Sequence, residues 1–311
     1  MLTEKINLWP DREDVILQTY ILDDSAEYLQ GRSRPAVLIC PGGAYLGTSD
    51  REAEPVALRF AAQGYHAFVL RYTTFFGVEV SESFQILKSG QIPAGNPKSA
   101  YPGPLLDLGK AMLTIRENAD RWRLDYNQIV VCGFSAGGHL AASLGVHWHD
   151  QFMSDQLGAD NAKFRPAALI LGYPLLDYRV MKRAEETIEG SNQELVALWH
   201  VSNIAVFANP EPSMDELIHL SPVCFVSAQT PPAFIWHTAE DGLVPVANAF
   251  NFAAALVDKN IPCELHVFAE GDHGLSLADS TTALNPEQII ESVQVWVQLA
   301  LTWLDRLLPR A

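Results

Sequence analysis

The stretch "VVCGFSAGGHLAASLG", residues 130–145, constrains the fold of this chain more than any other. Apolar residues run into Gly133-Phe134-Ser135-Ala136-Gly137, and a helix-length series of small residues follows. A serine flanked in this way, where a strand stops and a helix starts, sits on a sharp, strained turn. The glycines two positions to either side leave room for strand and helix to approach each other. Gly138, Ala141 and Ala142 let the helix pack close to a sheet. The turn lifts the Ser135 hydroxyl clear of the backbone, and the helix N-terminus beside it favours developing negative charge. Gly-x-Ser-x-Gly also occurs by chance, so its meaning depends on what the rest of the chain supplies.

Short apolar runs recur at residues 15–22, 36–40, 66–72, 128–132, 167–171, 233–237 and 263–268. Most are nearly continuous in Val, Ile, Leu and Phe, as strands buried on both faces are. Helical patterns lie between them. Residues 55–63 form a short one ending at Gly64, and 105–118 place Leu105, Leu108, Met112 and Ile115 at helical spacing. Pro245 opens another, with Val246, Phe250, Ala253 and Val257 on one face, and 287–308 read as one long amphipathic helix. Strands alternating with helices predict an α/β fold, a mostly parallel central sheet with helices on both faces. A chain of 311 residues, 48% hydrophobic and 19% charged, can bury such a core as a single domain over 1–311. Two segments break the alternation, 73–103 and 178–222, and are expected to be cap-like insertions that shape a pocket, with Tyr72, Phe75, Phe76, Tyr101, Trp199 and Phe207 as candidates for its lining or for the core.

The formal charge of −16 disfavours nucleic acid and anionic membranes as partners. No apolar run reaches the length of a membrane span, and the first residues carry Glu4 and Lys5 in place of a signal-peptide core, so a cytoplasmic location is expected. Cys40, Cys132, Cys224 and Cys263 are far apart and form no Cys-x-x-Cys pair. They read as buried free thiols, not a zinc site or a disulfide framework.

A nucleophilic serine needs a base. Among nine histidines, His273 lies in a polar loop, Ala269-Glu-Gly-Asp-His-Gly274, directly after the last strand. His66, His139 and His237 read as structural. His147-Trp148-His149-Asp150 has a metal-like look, but residues two apart on a helix do not face each other and no third ligand is evident. No metal and no cofactor are therefore expected. The base needs an orienting acid, and the loop after strand 233–237 offers Asp241, with Glu240 as its rival. Asp272 is too close in sequence to reach the His273 ring easily. The order Ser135, Asp241, His273 is the serine–acid–histidine order of α/β hydrolases. After strand 36–40, Pro41-Gly42-Gly43-Ala44 places small residues where backbone N–H groups can bind an oxyanion, together with the N–H of Ala136.

On these residues the chain resembles the α/β-hydrolase-fold serine esterases, in the group of bacterial acetyl esterases and xylan-esterase-like enzymes, distantly hormone-sensitive-lipase-like. The resemblance covers about residues 16–308 and rests on "CPGGAYLGTSDREAEPVALRFAAQGYHAFVLRY", "GFSAGGHLAASLG", "PPAFIWHTAEDGLVPV" and "EGDHGLSL". It implies a cofactor-free esterase with Ser135, Asp241 and His273 as catalytic triad and a small-molecule ester, of acetyl type, as substrate. The group often has His-Gly-Gly where this chain has Pro41-Gly42-Gly43, a departure at the residue that usually supports this loop; the resemblance implies the N–H groups of Gly43 and Ala44 as oxyanion donors beside Ala136. A homo-oligomer is compatible with the resemblance. Two alternatives share the sequence: an amidase or peptidase using the same triad, and a non-catalytic hydrolase-like binding protein.

Overall fold

The computed structural model describes residues 1–28, 30–188 and 192–309. Residues 189–191, inside the second expected insertion, and the last two residues lie outside the described ones.

Eight strands form the central sheet: β1 (Lys5–Trp9), β2 (Arg12–Tyr20), β3 (Arg34–Cys40), β4 (His66–Arg71), β5 (Leu124–Phe134), β6 (Ala168–Gly172), β7 (Ala233–Thr238) and β8 (Cys263–Phe268). Their spatial order is β1-β2-β4-β3-β5-β6-β7-β8. The β1–β2 and β2–β4 pairs are antiparallel, and every later pair is parallel. The apolar runs are continuous because alternate residues feed two cores. In β3, Ala36, Leu38 and Cys40 join the core on one face, while Val37 and Ile39 join the core on the other.

The helices used below are α1 (Glu54–Ala61), α2 (Val80–Ser89), α3 (Gly103–Glu117), α4 (Ser135–His147), α5 (Tyr178–Ile188), α6 (Gln193–Phe207), α7 (Met214–His219), α8 (Ala247–Asp258) and α9 (Trp296–Leu307). Helices α3, α4 and α8 bury their apolar residues on the Leu38 face, and α1 and α9 on the Val37 face. The first irregular segment carries α2, and the second carries α5, α6 and α7.

Several details depart from the sequence reading. Strand β1 was not expected; it is a short antiparallel strand at the sheet edge, where only Leu8 is fully buried. The face of α8 drawn through Val246, Phe250, Ala253 and Val257 is not the core face. Phe250 is 49% and Val257 62% exposed, whereas Ala249, Phe252 and Leu256 are fully buried. Its sequence, ANAFNFAAALVD, is apolar nearly all round, so periodicity alone cannot select the stripe. The expected helix over 287–308 is broken into a 3₁₀ turn (Pro286–Gln288), a short helix (Glu291–Gln294) and α9. Of the four free cysteines, Cys40 and Cys132 are buried, Cys263 is partly so, and Cys224 is exposed, against the expectation for all four.

The α8 correction is directly testable. Phe252→Ala should destabilise the protein by about 3–5 kcal/mol through a core cavity. Phe250→Ala should cost no more than about 0.5 kcal/mol. Urea unfolding of the two variants compares them, and equal losses would contradict the burial of one face.

Candidate active site

The site lies at the C-terminal ends of the parallel strands, where the loops after β3, β5, β7 and β8 converge. Strand β5 ends at Phe134, and α4 begins at Ser135 with no intervening residue. The chain achieves this by placing Ser135 at φ +52°, a left-handed conformation that costs an ordinary residue of order 1–3 kcal/mol. The reversal is possible because strand and helix touch backbone to backbone. A Cβ on Gly133 would strike the Gly137 carbonyl, and one on Gly137 would strike the carbonyls of Cys40 and Pro41.

His273 Nε2 lies 2.8 Å from Ser135 Oγ, and His273 Nδ1 lies 2.6 Å from Asp241 Oδ2. A carboxylate only accepts, so Nδ1 carries the ring proton and Nε2 is free to accept from the serine hydroxyl. The other Asp241 oxygen accepts the N–H groups of Leu243 at 2.9 Å and Val244 at 2.8 Å, which fixes the carboxylate in the loop. Burial by itself would raise the Asp241 carboxyl. The adjacent His273, its hydrogen bond and the Val244 N–H outweigh that and hold it below the ordinary value, so it stays ionised. Glu240 is engaged elsewhere: its Oε2 accepts the Gly271 N–H at 3.1 Å.

The loop after β3 is held by its carbonyls. Pro41 accepts from the Tyr72 hydroxyl, Gly42 from Ser49, Gly43 from Leu46, Ala44 from the Ser202 hydroxyl and Tyr45 from Phe75. Gly43, Ala44 and Tyr45 all have positive φ, at 137°, 56° and 59°. Gly42 has its N–H committed to Glu52 at 2.6 Å. The N–H groups of Gly43, Ala44 and Ala136 meet no acceptor among the described residues. Tyr45 donates to His139 Nδ1 at 2.6 Å, and His139 Nε2 donates to the Leu220 carbonyl at 2.8 Å. His139 thus ties the β3 loop, the serine helix and the second insertion together. Glu52, Tyr45 and Tyr173 were not singled out by sequence reasoning. Glu52 and Tyr173 meet across 121 positions and Tyr45 meets His139 across 94, and no local pattern marks them.

A cleft of about 860 Å³ opens beside His273, between α2 and the start of α6. Phe84, Leu87, Leu195 and Leu198 form its apolar wall, and Lys88 and Glu194 lie on its polar side. The aromatics expected to line the pocket, Tyr72, Phe75, Phe76, Tyr101, Trp199 and Phe207, are not on this wall; Tyr72 is buried at 2% exposure. Helical burial explains the difference: one side of α6 puts Leu195 and Leu198 on the cleft, and Trp199 turns away toward α5. His147 pairs with Asp150 at 2.7 Å, with His149 3.8 Å from the same carboxylate. No group of three potential metal ligands occurs among the described residues, and none of the described helices is long and apolar enough to cross a membrane.

A mostly parallel sheet with a serine on the turn after β5, a histidine after β8 and a carboxylate after β7 is the architecture of an α/β hydrolase. The BD-FAE family profile matches residues 95–256. The chain is 32% identical to MGS-M1, an α/β hydrolase from a Medee basin deep-sea metagenome library, with a TM-score of 0.71 over 100% of this chain and 99% of that one. It is 30% identical to the acetyl ester-xyloside bifunctional hydrolase of Caldicellulosiruptor lactoaceticus, with a TM-score of 0.70 over 97% and 96%. It is also 33% identical over 276 residues, 88% of its length, to endo-1,4-beta-xylanase B of Butyrivibrio fibrisolvens. The chain belongs to the BD-FAE family of α/β hydrolases. It spans between 35% and 54% of the length of the curated relatives it matches.

Three buried histidines give a prediction for stability. Burial, as the leading cause, pushes His66, His139 and His237 from the ordinary 6.5 down to about 4. Between those two values the unfolded chain takes up protons that the folded chain refuses. Stability should therefore be full above pH 6.5 and fall as the pH drops toward 4, by about 1.4 kcal/mol per pH unit for each histidine. Denaturant titrations between pH 7 and 5 measure this, and a level unfolding free energy would contradict it.

Proposed function

We propose that the chain is a serine carboxylesterase that hydrolyses short-acyl esters, acetyl foremost, carried on hydroxylated alcohols such as sugars. The observation that carries this reading is the hydrogen-bonded line from Ser135 through His273 to Asp241. Ser135 Oγ attacks the ester carbonyl carbon as its proton passes to His273 Nε2. Asp241 holds the imidazole by Nδ1 and stabilises the imidazolium. The N–H groups of Gly43, Ala44 and Ala136 receive the negative charge on the carbonyl oxygen. Collapse of the tetrahedral intermediate expels the alcohol, which takes the proton from His273. Water then attacks the acyl-enzyme with His273 as base, releasing the acid and restoring Ser135.

Two features support the substrate class. The relative from Caldicellulosiruptor lactoaceticus carries acetyl ester and xyloside in its name. The cleft beside His273 is lined by apolar Phe84, Leu87, Leu195 and Leu198 together with polar Lys88, Gln193 and Glu194, a mixture that suits a sugar ring.

Ser135→Ala, His273→Ala and Asp241→Asn should each lower kcat on a chromogenic acetyl ester by about 10³-fold or more with the fold intact. Glu240→Gln should retain most activity; a loss equal to that of Asp241→Asn would overturn the choice of acid. Across acetyl, butyryl, octanoyl and palmitoyl esters of one alcohol, kcat/KM should peak at acetyl. A maximum at octanoyl or beyond would overturn the acyl assignment. Turnover of an aminoacyl anilide faster than of the acetyl ester would support the amidase alternative.

A further inference from the structure

We propose that Glu52 is a positioning residue for this hydrolysis, its carboxylate locking the oxyanion loop to the loop that carries the histidine. The inference rests on the serine-esterase reading and extends it to a residue behind the reacting groups. Glu52 is only 4% exposed, in a 3₁₀ turn (Asp50–Glu52) just before α1. Its two oxygens serve two different loops. Oε2 accepts the Gly42 N–H at 2.6 Å, and Oε1 accepts the Tyr173 hydroxyl at 2.6 Å. The Tyr173 oxygen in turn accepts the Ser276 N–H at 2.9 Å, three residues beyond His273. The Ser276 hydroxyl returns to the same turn, donating to the Arg51 carbonyl at 2.7 Å. The Tyr173 ring lies edge-on to the His273 ring, with centroids 5.0 Å apart.

The chemistry of the partners explains a carboxylate here. Both partners are donors, and a carboxylate offers acceptors on both sides, whereas an amide must present a donor to one of them. A buried carboxylate is costly unless every lone-pair direction is used well, so a merely space-filling residue at this position would be apolar. The geometry also places it at the nucleophile's back. A Cβ added to Gly42 would lie 2.9 Å from both Glu52 Oε2 and Ser135 Cβ. Position 41 is proline and has no N–H, so Gly42 supplies the first amide by which this loop can be anchored. The three residues that follow all have positive φ, a strained path that persists only if its start is fixed. With the Gly42 N–H committed to Glu52, the next two amides are left for the oxyanion. Glu52 makes no contact with Ser135 Oγ or His273, so it acts through the loops.

The test compares wild type, Glu52→Gln, Tyr173→Phe and Ser135→Ala by steady-state kinetics on an acetyl ester. It adds inhibition by methylboronic acid, whose serine adduct is tetrahedral, and thermal melting. Glu52→Gln should lower kcat on the order of 10–100-fold, below the effect of deleting an oxyanion donor outright. KM should stay within about 3-fold, and boronate affinity should fall in parallel with kcat/KM. Tyr173→Phe keeps the Gly42 bond and should give a smaller fall of the same kind. Unchanged kcat and boronate affinity in a folded Glu52→Gln would overturn the inference, as would a rise in KM with kcat and boronate affinity intact. If Glu52→Gln does not fold, Tyr173→Phe decides: parallel losses in kcat and boronate affinity support the link, and their absence overturns it. An inactive Ser135→Ala beside a normal Glu52→Gln sinks this inference alone. A fully active Ser135→Ala sinks the serine reading and this inference with it.

Discussion

The structure depends on a backbone contact without side chains. Strand β5 and helix α4 meet so closely at Gly133 and Gly137 that the helix backbone rests on the carbonyls of Cys40 and Pro41. That contact forces the reversal at Ser135, and the reversal sets the serine at φ +52°. It also seats the helix N-terminus against the end of β3, which is where the Gly43–Ala44 amides emerge. Ser135 and the loop after β3 are therefore placed by one packing event. The neighbouring β3–β5 register, with Cys40 opposite Gly133, fixes their relative height.

Around this contact the protein assembles buried polar links that bridge distant segments. Glu52 and Tyr173 join the turn before α1 to β6 and to the loop after β8. His139 joins the β3 loop to the second insertion through Tyr45 and Leu220. His237 lies fully buried with Nδ1 3.9 Å from the Asp241 carboxylate. Burial keeps it neutral, so it leaves the carboxylate to His273. The Glu52, Tyr173 and His139 links are each paired at short range, the condition under which buried polar groups define one arrangement and do not soften the core.

Much of this was legible in the sequence where chemistry is written in short patterns. The serine turn, the alternation of strands and helices, and the loops holding Asp241 and His273 each have a local signature, and β-strand direction brings those loops to one edge. The parts that were not legible lack such a signature. Glu52 is one acid among 37 Asp and Glu residues, and what distinguishes it is Tyr173, 121 positions away. The core face of α8 is hidden because its sequence is apolar on every side. The break before α9 falls at Val295, with neither glycine nor proline to mark it. Which residues line the cleft was not legible because residues of like hydrophobicity in the insertions divide between core and pocket only when the helices are packed. In α6, Leu195 and Leu198 face the cleft while Trp199, one position on, does not.

The central claim is that Ser135 is the residue that becomes acylated. The most direct measurement is to treat the protein with a fluorophosphonate ester and map the adduct by peptide mass spectrometry. A single adduct on the peptide carrying Ser135, formed in step with the loss of esterase activity and absent from His273→Ala, is the predicted result. Full inactivation with the label on another residue, or esterase activity that survives stoichiometric labelling of Ser135, would contradict it.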